Sequence, residues 1–146
     1  MKKWSIALVL LFCGMYLFAQ SLFDLVKTGT PEQLQAAIKA GAKLDDRDTI
    51  GMTPLMYAAW SNENPDVITT LLNAGAKLDD RDVNGWTPLM YAAQRNKNPD
   101  VITTLLNAGA DAKAKSIEGK TAFDYAQDNP KIKGTKAYWD LNNARF

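Results

Sequence analysis

Thirteen consecutive residues occur twice in this chain, 34 positions apart. The stretch NPDVITTLLNAGA spans Asn64–Ala76 and again Asn98–Ala110. The likeness extends upstream, so that Gly51–Ala76 and Gly85–Ala110 agree at 22 of 26 positions. A third, weaker copy begins with GKTAF at Gly119, another 34 residues along. A fixed period of this length indicates a solenoid, in which each unit buries its apolar side against the next unit.

Each unit is predicted to contain two short helices. Thr53 precedes Pro54, and Asn64 precedes Pro65, so a capping side chain stands directly before a proline that the first helical turn tolerates. Gly75 supplies the left-handed residue that ends the second helix. The apolar stripe of this second helix consists of Val67, Ile68, Leu71 and Leu72. The turn-rich stretch KLDDRDVNG then leads to the next unit.

These letters carry a family resemblance. GMTPLMYAA…LLNAGA and GWTPLMYAA…LLNAGA resemble the ankyrin repeat, whose pattern is a glycine, Thr-Pro-Leu-His, two alanines, two leucines and Gly-Ala. The resemblance implies an all-α ankyrin-repeat solenoid of stacked helix-turn-helix units joined by β-hairpin-like loops. We expect about four units, at residues 20–50, 51–84, 85–118 and 119–146, of which the outer two are degenerate end caps. Met56 and Met90 stand where the family has a histidine that bonds to neighbouring backbone, so apolar packing must take over part of its role.

Residues 1–19 are predicted to be a signal peptide. Two lysines precede an apolar run of 16 residues, Trp4–Ala19, which is short for a ~30 Å hydrocarbon core that needs about 20. Cleavage after Ala19 would export the protein, to the periplasm or outside the cell. Two alternatives stay open: a membrane anchor formed by residues 4–19, and lipidation at Cys13.

Composition argues against several classes of chemistry. The chain has no histidine, the commonest general base and metal ligand. Its net charge of +1 gives no electrostatic footprint for nucleic acid. The loop Asp80–Gly85 opens like a calcium loop, but position twelve is Tyr91 rather than a glutamate. We therefore expect no cofactor or metal and no enzyme activity, with solvated turns and internal Asp–Arg pairing in loops such as Leu44–Asp48. A calcium-binding protein or an enzyme is the alternative suggested by the aspartate-rich loops.

The resemblance also implies where a partner binds. Ankyrin hairpin tips and the exposed side of each first helix line a concave groove, and the matching positions include Ile50, Met52, Trp60, Ser61, Val83, Asn84, Trp86, Gln94, Arg95 and Lys120. Three of the four differences between the central units fall on these positions, and tryptophan and arginine are enriched at interface hot spots. We expect a monomeric, non-catalytic module that binds a protein partner. An inhibitor or immunity protein for a co-secreted enzyme or toxin is an alternative.

The central tryptophans Trp60 and Trp86 could instead pack against adjacent loops, without contacting a partner.

Four further aromatic residues carry structural expectations. Tyr57 and Tyr91 are predicted to be half-buried, with their hydroxyls at the rim. Tyr138 and Trp139 are predicted to fill the core of the last unit, which has few neighbours.

Overall fold

The computed structural model describes residues 21–146, so the predicted signal peptide lies outside the described residues. Within this part of the chain the secondary structure is all helical. None of the helices between residues 21 and 146 has the length and apolar character needed to cross a membrane. The helices are α1 (Leu22–Thr28), α2 (Pro31–Lys39), α3 (Pro54–Ser61), α4 (Pro65–Asn73), α5 (Pro88–Arg95), α6 (Pro99–Asn107), α7 (Ala122–Ala126) and α8 (Lys136–Ala144).

Helix starts follow the predicted caps. The Thr53 hydroxyl accepts the backbone N–H of Met56, and the Asn64 side chain accepts that of Asp66. Proline occupies the first turn of both helices, where its missing N–H has no partner to lose. Gly75 has a φ of 102°, the left-handed conformation predicted for the end of α4. The local chemistry of the repeat therefore defines its two helices.

The helices form two layers. In one layer α1, α3, α5 and α7 lie side by side, and in the other α2, α4, α6 and α8 do so. The predicted stripe of α4 faces between the layers: Val67, Ile68 and Leu71 are buried, and Leu72 is partly buried. Met56 and Met90 are buried, which agrees with apolar packing in place of the family histidine. The all-α solenoid is thereby confirmed.

A ladder of buried asparagines links the first-layer helices, and sequence reasoning missed it. The side-chain amide of Asn62 donates to the carbonyls of Val26 and Gly29 in the preceding unit. Asn96 and Asn129 repeat this bridge one and two units further on, each with two carbonyl acceptors at 2.8–3.0 Å. Asn62 and Asn96 lie in the short polar connectors between the two helices of their units. The sequence feature that could have revealed the ladder is the asparagine at the same position of both central units. A buried side-chain amide needs hydrogen-bond acceptors such as these carbonyls.

Loops are also linked from unit to unit. The backbone N–H of Val83 donates to the carbonyl of Ile50 at 3.1 Å. The Arg47 guanidinium pairs with Asp80 in the following loop at 2.9 Å, and donates to the Arg81 carbonyl. The expected Asp–Arg pairing within the loop Leu44–Asp48 is therefore wrong. The arginine side chain is long enough to reach the next loop, where a carboxylate and a backbone carbonyl accept its hydrogen bonds.

Only one of the two predicted aromatic residues fills the core of the last unit. Tyr138 is buried and packs on Phe123, with 4.8 Å between ring centroids. Trp139 leaves 55% of its surface exposed, so the expectation that it fills the core is wrong. In helix α8 these neighbouring residues cannot share one face, because successive positions are about 100° apart.

Candidate partner-binding surface

A row of aromatic rings crosses all four units beside the loops. Consecutive ring centroids are 5.4, 6.0, 6.0, 5.0 and 4.2 Å apart. We call this the aromatic row; in order it comprises Phe23, Tyr57, Trp60, Tyr91, Trp86 and Tyr125. Lysines from the chain cover rings towards its two ends, with Lys27 4.8 Å above Tyr57 and Lys120 5.6 Å above Tyr125. Such cation–π contacts contribute about 0.5–1 kcal/mol at exposed sites.

The tyrosine hydroxyls of the row point to the loops. Tyr57 donates to Asp48 at 2.7 Å and Tyr91 donates to Asp82 at 2.6 Å. The two tyrosines are half-buried, as predicted, and their hydroxyls are bound by loop carboxylates. These bonds fix each ring to the loop of its own unit, so the row is held in place before any partner arrives.

Both groups of the first pair have shifted pKa values. The hydrogen bond to Asp48, with a contribution from desolvation, raises the pKa of Tyr57 to about 12. Desolvation by itself raises the pKa of Asp48, but the bonds from Tyr57 and from backbone N–H groups outweigh it, and that pKa lies below its ordinary value. Burial and the bond to Asp82 likewise raise the pKa of Tyr91. Near neutral pH both tyrosines are therefore neutral donors, and Asp48 is an ionised acceptor.

The aspartate-rich loops serve as turns. One oxygen of Asp82 accepts the backbone N–H groups of Asn84 and Trp86, and the other accepts Tyr91. Hydrogen bonds of this kind are typical of aspartate in tight turns. Over residues 21–146, no three carboxylate or other ligating side chains come together in a way that could hold a metal ion.

Most of the predicted contact residues lie on the surface. We call the loop tips and the exposed ends of the first-layer helices the groove face. Trp60 is 38% exposed, and Gln94 is half-buried beside Arg95 at the end of α5. The remaining exposed members of the predicted set are Ile50, Ser61, Val83, Asn84, Arg95 and Lys120.

Met52 is an exception, because only 1% of its surface is accessible and it cannot touch a partner in this conformation. Its backbone N–H is held by Asp48, which turns the residue after the loop towards the helices. Trp86 occupies the same place in the next unit and is half-buried between Tyr91 and Tyr125. Both tryptophans pack against neighbouring tyrosines, and Trp60 is the one that keeps a large exposed fraction, 38% of its surface.

The loop tips add an apolar strip to this face. Ile50, Val83 and Ile117 are 45%, 64% and 74% exposed, and they come from three successive loops. The backbone N–H of Ile117 donates to the Asn84 carbonyl at 3.0 Å, which links the last two of these loops. An exposed apolar strip of this kind is typical of an interaction surface.

Comparison with known families agrees with this architecture. Two overlapping stretches, residues 22–116 and 61–133, match the family model described as ankyrin repeats (3 copies). A search of curated proteins finds no match to the chain. The matched residues make up well over half of the chain, and they contain the helices and loops that build the groove face. The chain belongs to the ankyrin-repeat family, whose members are protein–protein interaction modules and are typically non-catalytic.

Proposed function

We propose that this protein is exported and binds a protein partner through its groove face. The observation that supports the proposal most directly is Trp60, which is 38% exposed in the centre of a fixed aromatic row. Removing an aromatic ring at such a position from water stabilises the complex with a partner. The apolar tips Ile50, Val83 and Ile117 extend the same face along the loops.

Rigidity of the face favours binding. Trp60 stacks on Tyr57 and Tyr91, and each of these tyrosines is tied to a loop carboxylate. Side chains that are already ordered lose little rotamer entropy on association, a cost of about 0.5–1.5 kcal/mol for each flexible side chain. A partner would therefore meet a surface whose shape is already set.

Export is the second part of the proposal, and it rests on residues 1–19. The basic start and the apolar run Trp4–Ala19 are the features of a secretory signal peptide. The partner would then be a periplasmic or secreted protein. N-terminal sequencing of the protein recovered from cells tests this directly: a start after Ala19 supports export, and a start at Met1 supports an anchored or unprocessed form.

Affinity capture from the extracytoplasmic fraction, followed by mass spectrometry, tests the binding face. The chain is used as wild type, as Trp60→Ala and as Trp139→Ala, which removes an indole that is 55% exposed on α8. We expect the isolated partner to bind Trp60→Ala about 30-fold more weakly, since a hot-spot truncation costs about 2 kcal/mol or more. The Trp139→Ala control should bind like the wild type.

Circular dichroism and thermal unfolding of all three proteins establish that the variants are folded. Equal affinity of a folded Trp60→Ala variant and the wild type would contradict the assignment of this face. The identity of the captured partner also separates a general binding module from an inhibitor, because an inhibitor would be recovered with an enzyme or toxin whose activity it blocks.

A further inference from the structure

Arg95 differs from the other arginines in the described part of the chain. Arg47 pairs with Asp80, and Arg81 donates to the Lys115 carbonyl. Arg145 lies 4.0 Å from Asp124 and 4.3 Å from the centre of the Phe123 ring. These three guanidinium groups are used within the solenoid.

Arg95 has no such role. It is exposed, and its Nε donates to the neighbouring Gln94 side chain at 3.1 Å. Among residues 21–146 no carboxylate lies within ion-pair distance of its guanidinium. The nearby Lys97, by contrast, faces Glu63 at 3.9 Å. The terminal nitrogens of Arg95 therefore form a free fork, the geometry that binds a carboxylate through two parallel hydrogen bonds.

Stabilisation of the helix end does not explain this arginine. Arg95 is the last residue of α5, where a cation interacts favourably with the helix dipole by about 0.3–1 kcal/mol. The equivalent helix α3 has the same length and ends at Ser61 without any cation. The scaffold thus forms equally well with a serine at this position.

Arg95 lies next to the exposed part of the aromatic row. Tyr91 precedes it by one helical turn, so the two side chains leave α5 on the same face. Trp60 stacks on Tyr91, with 6.0 Å between the ring centroids and 26° between the planes. An exposed guanidinium and a partly exposed indole therefore both adjoin Tyr91 on the groove face.

The charges along the aromatic row favour an anion over a cation. Trp60 is stacked on Tyr57 as well as on Tyr91, at the same centroid distance and interplanar angle. Lys27 already covers the ring of Tyr57, and Lys120 that of Tyr125. A second cation at this place would meet like charges.

We propose that Arg95 and Trp60 together recognise an acidic peptide segment of the partner, in which an Asp or Glu carboxylate pairs with Arg95 and an adjacent apolar side chain packs on Trp60. The inference rests on the proposed function and specifies the chemistry of the partner.

Selection from a random peptide display library, with the full chain as bait, tests this inference. Four baits are compared: wild type, Arg95→Ser, Lys97→Ser and Trp60→Gln. Serine is the residue that the sibling unit carries at Ser61, and Gln is the one it carries at Gln94, so these substitutions are compatible with the fold. Lys97→Ser removes the same charge from a lysine that already faces a carboxylate.

We expect the wild-type pool to be enriched in Asp or Glu next to apolar residues. This enrichment should persist with Lys97→Ser and disappear with Arg95→Ser. For the strongest peptide, replacing its acid by the amide should weaken binding to the wild type about tenfold or more, and binding to Arg95→Ser less than about twofold.

Other outcomes have distinct meanings. Enrichment in basic or neutral peptides overturns the inference, and so does acidic enrichment that survives Arg95→Ser. Absence of any selected peptide also contradicts a peptide-like occupant. A pool that depends on Trp60 but not on acids leaves the proposed groove face standing and removes only the acidic partner, whereas a pool indifferent to Trp60 counts against both.

Discussion

The two central units carry nearly the same letters, yet they place their single tryptophan differently. The unit at residues 51–84 has Met52 in the loop and Trp60 at the end of its first helix; the unit at residues 85–118 has Trp86 and Gln94 at these places. Met52 is fully buried, Trp86 is half-buried, and Trp60 is the more open of the two indoles. Each central unit thus has one tryptophan, and the two tryptophans lie at different positions of the repeat.

The exchange has a physical reason. Both tryptophans fill the gap between the tyrosine of their own unit and the tyrosine of the next: Trp60 lies against Tyr57 and Tyr91, and Trp86 lies against Tyr91 and Tyr125. A ring that enters this gap from the helix remains open to solvent, and a ring that enters from the loop is covered. An aromatic bridge between units is therefore part of the architecture, while the exposure of its ring depends on the position that supplies it.

The largest loss of stability is expected from replacing the buried asparagine that the two central units share. Asn96→Ala leaves the carbonyls of Ala59 and Asn62 without their donor, and Asn62→Ala does the same to Val26 and Gly29. Each loss should lower the free energy of unfolding by about 3 kcal/mol, because an unsatisfied buried group costs about 1–3 kcal/mol. Urea unfolding followed by circular dichroism measures it.

Glu63→Ala is the control for these variants, since it changes an exposed residue of the same connector. Values below about 1 kcal/mol for both asparagines would show that water replaces the lost amide and that the ladder is not a major stabilising element.

A smaller effect is expected from making one unit resemble the other. Met52→Trp introduces a second indole into the gap that Trp60 occupies, and overpacking of this kind costs about 1–3 kcal/mol. Adding Trp60→Gln empties the gap and recreates the pattern of the next unit, so the double variant should regain more than half of the lost stability. A double-mutant cycle from thermal or urea unfolding measures this coupling.

Strict additivity of the two substitutions would contradict this explanation of the two tryptophan positions. It would mean that the two indoles do not compete for one place and that their similar neighbours are a coincidence of packing.

The smallest effect concerns the alkaline limit of stability. Tyr57 has a pKa of about 12 in the folded chain, above the value of about 10 for a free tyrosine. A raised folded pKa means that the stabilisation is complete below about pH 10 and is lost as the pH rises towards 12. Tyr57→Phe should therefore cost about 1 kcal/mol at neutral pH, since the bond to Asp48 is partly exposed.

The same variant should lose less stability than the wild type between pH 10 and 12, as measured by urea unfolding at a series of pH values. Parallel stability curves for Tyr57→Phe and wild type across this range would show that the phenol gains no protection from Asp48.

Much of the groove face could be predicted from the repeat pattern. Aligning the two copies identified Trp60, Ser61 and Arg95 as variable positions, and all three lie on the surface. The same alignment placed Met52 there wrongly. A position that accepts methionine or tryptophan is variable in the sequence whether it faces a partner or the interior of the next unit, and only the packing around Asp48 separates these cases.

Local and periodic features can be read directly from the amino-acid pattern: the helix caps at Thr53 and Asn64, the left-handed Gly75, and the need of each apolar stripe for a neighbour. The contacts between units follow only from the way the units stack: the asparagine ladder, the Arg47–Asp80 pair and the two roles of tryptophan. The reason is the range of the interactions. Caps and turns act over a few residues, whereas contacts between units join groups more than 30 positions apart and depend on how the units stack.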